Sequence, residues 1–265
     1  MKKICIYGKG GIGKSTTVAN LAAALAADGK RVAVIGCDPK ADSTRNIMGK
    51  RIGTVLDLMH RGGGEPICQY GFSHILCMEA GGPQPGTGCA GRGITVALQE
   101  INKRDLLKEM DVVFYDVLGD VVGGGFSTPL REGVADEVYI VSTSDYMSLY
   151  AANNICRGIR KYAEAGGSKL AGIIHNGRSS LDEEGLVGEL AGKLGTSVIG
   201  YIPMSREISR AEYRKKTVIE AFPDSAVSLS FREISRRIME NTELAVPSPL
   251  TDQEVEELCM NWRNE

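Results

Sequence analysis

The chain predicts an α/β fold: a doubly wound, mostly parallel sheet with helices on both faces. Three observations carry this. First, short apolar, β-branched runs recur along the 265 residues, at Lys3–Tyr7, Arg31–Gly36, Val112–Asp116, Val138–Thr143, Leu170–His175 and Val198–Ile202. Such near-continuous apolar runs suit parallel strands covered on both faces. Second, helical patterns lie between them. Val18, Leu21, Ala22, Leu25 and Ala26 repeat at helical spacing after the first run, and Gly29 stops that helix. Residues 147–164 form another, with Leu149, Ala152, Cys156 and Ile159 on one face. Third, a glycine-rich turn joins the first strand to the first helix, and two more glycine-rich stretches, 81–93 and 119–125, interrupt the alternation.

The bulk composition fits such a fold. Apolar content of 43%, charged content of 24% and 33 glycines read as globular. A net charge of −2 offers no global attraction for nucleic acid. Met1-Lys2-Lys3-Ile4-Cys5 runs straight into a strand pattern, so no signal peptide is expected. No apolar run reaches the ~18 residues that a spanning helix needs. Seven cysteines without an export signal suit a reducing cytoplasm, where they serve as thiols or metal ligands. The expectation is a cytoplasmic protein with neither nucleic acid nor membrane as partner.

No internal repeat or linker divides the chain, so residues 1–265 read as one domain. A tail begins near Ala245, with Pro247 and Pro249, and ends in a short acidic helix. Val255, Leu258, Cys259 and Trp262 give that helix one apolar face. It lacks a basic face, so it is expected to dock on its own chain or a twin subunit rather than on a membrane.

The first turn carries the most specific chemistry. Gly8-Lys9-Gly10-Gly11-Ile12-Gly13-Lys14-Ser15-Thr16 contains the phosphate-loop pattern G-x-x-x-x-G-K-S between a strand and a helix. Glycines let backbone N–H groups turn inward around phosphate oxygens, and the helix N-terminus adds its dipole. Lys14 is expected to reach the β- and γ-phosphates and Ser15 to hold Mg²⁺. These residues define a P-loop NTPase using Mg-ATP. Lys9, just after the first loop glycine, marks the deviant Walker A subclass. There this lysine reaches across a dimer interface to the partner's nucleotide, as an arginine finger does elsewhere.

Acidic residues follow two strands. Asp38 opens Asp38-Pro39-Lys40-Ala41-Asp42-Ser43-Thr44, and Asp116 opens Asp116-Val117-Leu118-Gly119-Asp120. Carboxylates at the C-terminal ends of parallel strands lie near bound ligand in doubly wound sheets. Asp116 reads as the Walker B acid, acting on Mg²⁺ directly or through water. Asp38 or Asp120 orients the attacking water, and Gly119 offers its N–H to the γ-phosphate.

With these motifs in place the chain resembles the nitrogenase iron protein family and its relatives, the ATP-dependent reductases of chlorophyll and nickel-tetrapyrrole synthesis. The matching pieces are Tyr7–Thr16, Asp38–Thr44, Gly81-Gly-Pro-Gln-Pro-Gly-Thr-Gly-Cys-Ala-Gly-Arg-Gly93, Asp116–Val122, Gly125-Phe126, Tyr146–Asn154 and Thr217–Glu220, spanning roughly residues 2–240. The resemblance implies a homodimer with one 4Fe–4S cluster on its two-fold axis. It also implies ATP-driven docking to a larger catalytic complex and electron transfer into it. By the same resemblance Cys89 is a cluster ligand and Arg92 lies at the docking surface. Asn176 and the segment from Pro203-Met204 to Tyr213 surround adenine. Asp120 polarises the hydrolytic water with Asp38 assisting.

One position departs from the pattern. Where the family reads D-V-V-C-G-G-F, this chain reads Asp120-Val-Val-Gly-Gly-Gly-Phe126, so Gly123 stands in place of the second cysteine ligand. Four readings follow. Two Cys89 thiolates hold a cluster with outside ligands; Cys77 substitutes; the protein is a cluster-free ATPase switch; or the chain is a variant with a disabled site. Cys5 and Cys156 read as core residues, Cys37 as packing, and Cys68 as a weaker ligand candidate than Cys77. His60, His74 and His175 show no metal spacing. The competing function is a non-redox switch like the partitioning or division-site ATPases, and a third is a cluster carrier, which normally shows a C-x-x-C.

Overall fold

The computed structural model describes residues 1–61, 66–82, 90–119, 124–131, 133–178 and 184–264. Its strands are β1 (Lys2–Tyr7), β2 (Val32–Cys37), β3 (Gln69–Tyr70), β4 (Leu76–Glu79), β5 (Val112–Val117), β6 (Glu137–Ser142), β7 (Lys169–Asn176) and β8 (Val198–Ile202). They form one sheet in the order β3-β4-β2-β5-β1-β6-β7-β8. Every pairing is parallel except β3 with β4 at one edge. The six expected strands are all present, within a residue or two of their expected bounds.

The β3–β4 pair is new. Leu76-Cys77-Met78-Glu79 contains no β-branched residue, so nothing local announces a strand. It becomes one because Leu76 to Glu79 pair in register with Ala33 to Gly36 of β2, and tertiary pairing overrides weak propensity.

The helices are α1 (Lys14–Ala27), α2 (Arg45–Met48), α3 (Val55–His60), α4 (Ala90–Lys103), α5 (Tyr146–Ala163), α6 (Glu184–Leu194), α7 (Arg206–Tyr213), α8 (Val218–Ala221), α9 (Ala226–Glu240) and α10 (Asp252–Asn264). Alternate strand residues face opposite layers. Ile4, Ile6, Val34 and Phe114 pack with Leu21 of α1 and Phe231 of α9 on one face. Cys5, Tyr7, Ile35 and Tyr115 belong to the other core, with Ile101 of α4, Ile155 of α5 and Leu190 of α6.

The tail docks on its own chain. Val255 and Leu258 of α10 are buried, and Cys259 and Trp262 pack against the core that α5 and α6 build. Full burial of such side chains stabilises by about 1.5–3 kcal/mol each. Around them lies a polar rim. Asn153 exchanges two hydrogen bonds with the Leu250 backbone, at 2.8 and 2.9 Å, and Arg157 donates to Leu250 O and Asp252. The exposed Arg157–Asp252 pair adds only ~0–1 kcal/mol, so apolar contact dominates the docking. Among the described residues no helix is long and apolar enough to cross a membrane.

Candidate functional site

The first crossover builds the site. β1 ends at Tyr7 in the sheet centre, between β5 and β6. The chain then turns tightly. Gly8 has φ +146°, and a Cβ there would lie 2.3 Å from Val141 O. Gly13 has φ +99° and caps α1 without any side-chain hydrogen bond; a Cβ there would lie 2.8 Å from Asn176 Nδ2. A helix start with no side-chain cap leaves its N–H groups available to an anion. The loop borders a cleft of about 330 Å³, lined by Gly10, Gly11 and Gly13 to Thr16 on one side. Asp38, Lys40, Asp42 and Asp116 to Gly119 line the other.

Inside the cleft the charges are held in place. Lys14 is buried, and its Nζ donates to Lys9 O at 3.0 Å. Asp116 sits in register with Ile6 of β1 and Gly36 of β2. Burial raises its pKa, against the pull of the Ser15 hydroxyl and the Lys14 charge. Asp116 Oδ1 is buried without a hydrogen-bond partner. An orphaned carboxylate oxygen is costly unless a cation or water completes it. A carboxylate beside a serine hydroxyl is the hard oxygen donor set that Mg²⁺ takes, and Mg²⁺ keeps several waters besides.

The loop after β2 is shaped by its own aspartate. Asp38 Oδ1 accepts from Lys40 N at 2.9 Å, its carbonyl accepts from Ala41 N at 3.0 Å, and Arg51 donates to Lys40 O at 2.7 Å. Lys9 is half-buried, and its Nζ lies 3.4 Å from Asp145 Oδ1. Asp145 is the N-cap of α5, accepting from Ser148 N at 3.0 Å and from the Thr143 hydroxyl. Those donors and Lys9 outweigh burial and hold its carboxyl below the usual range.

The expected adenine residues fall into two groups. Asn176 donates to Ile12 O at 2.8 Å, in register with Ile202 and hence beside Pro203. Arg178, two residues on, donates to Gly11 O. Met204 and Tyr213 are 71% and 88% exposed. Tyr213 is brought toward the loop by its neighbour Glu212, which accepts from Thr16 Oγ1 at 2.6 Å. Asp120, Cys89 and Gly123 lie outside the described residues. Arg92 is exposed on the first turn of α4.

Cys77 must be corrected. It sits not in a loop but inside β4, fully buried, with Sγ against Ile75 O. Burial raises its thiol far above the usual value, so the thiolate that a metal needs is disfavoured. Cys5, Cys37 and Cys156 are likewise buried, and burial raises each of their thiols. His175 is buried edge-on to Tyr201, with centroids 5.1 Å apart. Among the described residues no group of three or more His, Cys, Asp or Glu side chains is arranged to hold a metal.

Sequence reasoning missed Asp145, Glu212 and Glu79. Asp145 was findable as an Asp before an amphipathic helix. Glu212 and Glu79 carry no local signal, because their partners Thr16 and Thr44 lie far off in sequence.

Fold and loop together define a P-loop NTPase. Solved structures share the fold. The cell division ATPase MinD of Pyrococcus furiosus superposes with a TM-score of 0.71 at 20% identity, covering 90% of this chain and 98% of that one. Cobyrinic acid a,c-diamide synthase of Mycobacterium smegmatis, with bound ATP analog and magnesium, gives 0.65 at 18%, covering 91% and 95%. Within that class the chain belongs to the NifH/frxC family of 4Fe-4S iron sulfur cluster binding proteins, which it matches over residues 2–265. A nitrogenase iron protein of Methanococcus voltae is 50% identical over 265 residues, spanning 97% of this chain and 95% of the relative. Nitrogenase iron protein 2 of Methanothermobacter thermautotrophicus is 50% identical over 270 residues, spanning both chains in full.

Proposed function

We propose that this chain is the ATP-hydrolysing component of a reductase, working as a homodimer that delivers electrons to a larger catalytic complex. What supports the reading is one cleft that joins an open helix N-terminus, a buried Lys14 and the orphaned Asp116 oxygen, in a chain of this family. Gly8 to Thr16 wrap the phosphates, with Lys14 leaving Lys9 O for the β- and γ-oxygens. Ser15 and Asp116 would hold Mg²⁺, which would offset charge on the phosphates. Asp120 polarises the attacking water and Asp38 assists. Asn176, Pro203, Met204 and Tyr213 enclose adenine. Lys9 leaves Asp145 and crosses to the partner subunit's nucleotide. An exposed pair at 3.4 Å contributes ~0–1 kcal/mol, so it gives way easily to a phosphate charge. ATP thereby favours the closed dimer, and hydrolysis removes the contacts that hold it.

A 4Fe–4S cluster would supply the electron in this reading, held by Cys89 of each subunit, with docking near Arg92. The described residues add no further thiol to it: four of the remaining six cysteines are buried and Cys68 and Cys259 are half-buried, with no metal grouping around any of them. Two Cys89 thiolates make half of a four-cysteine site. Gly123 therefore keeps a second reading in play, a non-redox ATPase switch with the same nucleotide chemistry.

Iron and acid-labile sulfide per dimer after anaerobic reconstitution, with EPR of the reduced sample, separate the two. About four irons per dimer in the chain as it stands supports the reductase. Iron retained only after Gly123→Cys leaves the switch. Hydrolysis of ATP by Lys9→Gln at the wild-type rate would sink the in-trans role of that lysine in either reading.

A further inference from the structure

Glu79 is the last residue of β4, and its carboxyl is wholly buried. Oε1 accepts from both Thr44 N and Thr44 Oγ1, each at 2.7 Å. Oε2 has no partner. The neighbouring strand makes room for this group. A Cβ on Gly36 would lie 1.9 Å from Glu79 Oε2 and 2.8 Å from Ser43 Cβ. A buried carboxyl costs stability that an apolar side chain of equal size would not, so its use here calls for a reason.

The reason lies in what it joins. Thr44 ends the loop that begins at Asp38, and Asp38, Lys40 and Asp42 of that loop line the cleft. A second contact joins the same two segments: Gly82, three residues beyond Glu79, lies against Pro39, where a Cβ would be 2.7 Å from Pro39 Cβ. Ala80 N also donates to Gly36 O at 2.8 Å. The exit of β4 and the loop after β2 are thus built as one body. From that exit the chain continues to Cys89.

We infer that Glu79 is a positioning residue, tying the loop after Asp38 to the exit of β4 so that a nucleotide-driven shift of the loop is passed to the chain leading to Cys89. The inference rests on the reading that the cleft binds Mg-ATP. It assigns Glu79 no contact with nucleotide, and its effect is exerted through Thr44. Glutamine keeps the acceptor for Thr44 at nearly the same volume, so it preserves the clasp. Methionine fills the volume without it. Thr44→Val keeps the buried carboxyl and removes one of its two donors.

The test uses the full-length chain, stripped of iron anaerobically by a chelator so that thiols are free. Two quantities are read: affinity for a fluorescent, non-hydrolysable Mg-ATP analogue, and the rate of Cys89 alkylation by iodoacetamide, resolved by peptide mass spectrometry. The buried Cys5, Cys37, Cys77 and Cys156 serve as internal unreactive thiols. In the wild type the alkylation rates with the ATP analogue and with Mg-ADP should differ about fivefold or more, the low end of ordinary site-to-site coupling. Glu79→Met and Thr44→Val should bring that ratio to about one with nucleotide affinity retained, and Glu79→Gln should restore it. If Glu79→Met does not fold, Thr44→Val decides. Wild-type ratios in both variants overturn the inference and leave the nucleotide reading standing, as does a wild type that binds nucleotide without any change at Cys89. A wild type that binds no nucleotide overturns the reading beneath it and the inference with it.

Discussion

Replacing Glu79 by glutamine removes a titration from the protein interior while leaving its shape intact. Burial pushes the Glu79 carboxyl up from 4.5 to about 7; the Thr44 hydrogen bonds oppose this, and the facing charges of Asp116 and Asp42 add to it. The folded chain therefore holds a proton that the unfolded chain releases. Stability from this group is full below the unfolded value, declines as pH rises toward about 7, and changes no further above it. Between about pH 5.5 and pH 8 the wild type should lose roughly 2 kcal/mol that the glutamine variant keeps, at ~1.4 kcal/mol per pH unit while the two states differ by a full proton. Asp116, also raised by burial, tilts both profiles in the same direction, and only its coupling to Glu79 survives in their difference. The assay is urea unfolding of nucleotide-free protein at the two pH values, with wild type and variant side by side. Parallel profiles would refute the reasoning, because they would mean that Glu79 is ionised in the folded chain or solvated there.

Three further outcomes follow from the same geometry. Gly36→Ala places a Cβ against Glu79 and Ser43 and should cost ~1–3 kcal/mol; Glu79→Ala in the same chain should recover part of the loss, whereas strictly additive effects in a double-mutant cycle would contradict the contact. Lys14→Met should weaken Mg-ATP binding about ten- to a hundredfold, the value of one charge-assisted hydrogen bond, and undiminished binding of a fluorescent ATP analogue would count against the cleft. Gly185→Val drives a side chain into the Trp262 ring, which lies 2.4 Å from an added Cβ; since Trp262 is the one tryptophan in the chain, its emission should shift to the red, and an unchanged spectrum would mean that α10 does not rest on α6.

Much of this was legible because it is local. The phosphate loop compresses its requirements into nine consecutive residues, Gly8 to Thr16. Each glycine, the lysine and the serine answer to a neighbour in the chain or to the phosphates themselves. The strands were legible because burial on both faces demands apolar residues at every position. Asp38 and Asp116 could be placed because strand ends in a doubly wound sheet converge on one edge.

The sequence by itself determined the fold class, the nucleotide loop and the family, since all three are written in contiguous segments. Only the tertiary structure decided that Leu76–Glu79 is a strand, that Cys77 is sealed in the core, and that the tail returns to its own chain. It alone joined Lys9 to Asp145, Thr16 to Glu212 and Thr44 to Glu79, which lie 136, 196 and 35 residues apart. A single Asp or Glu far from its partner has no pattern of its own. Its meaning comes from the neighbour that folding supplies, and from the low dielectric in which the two then meet.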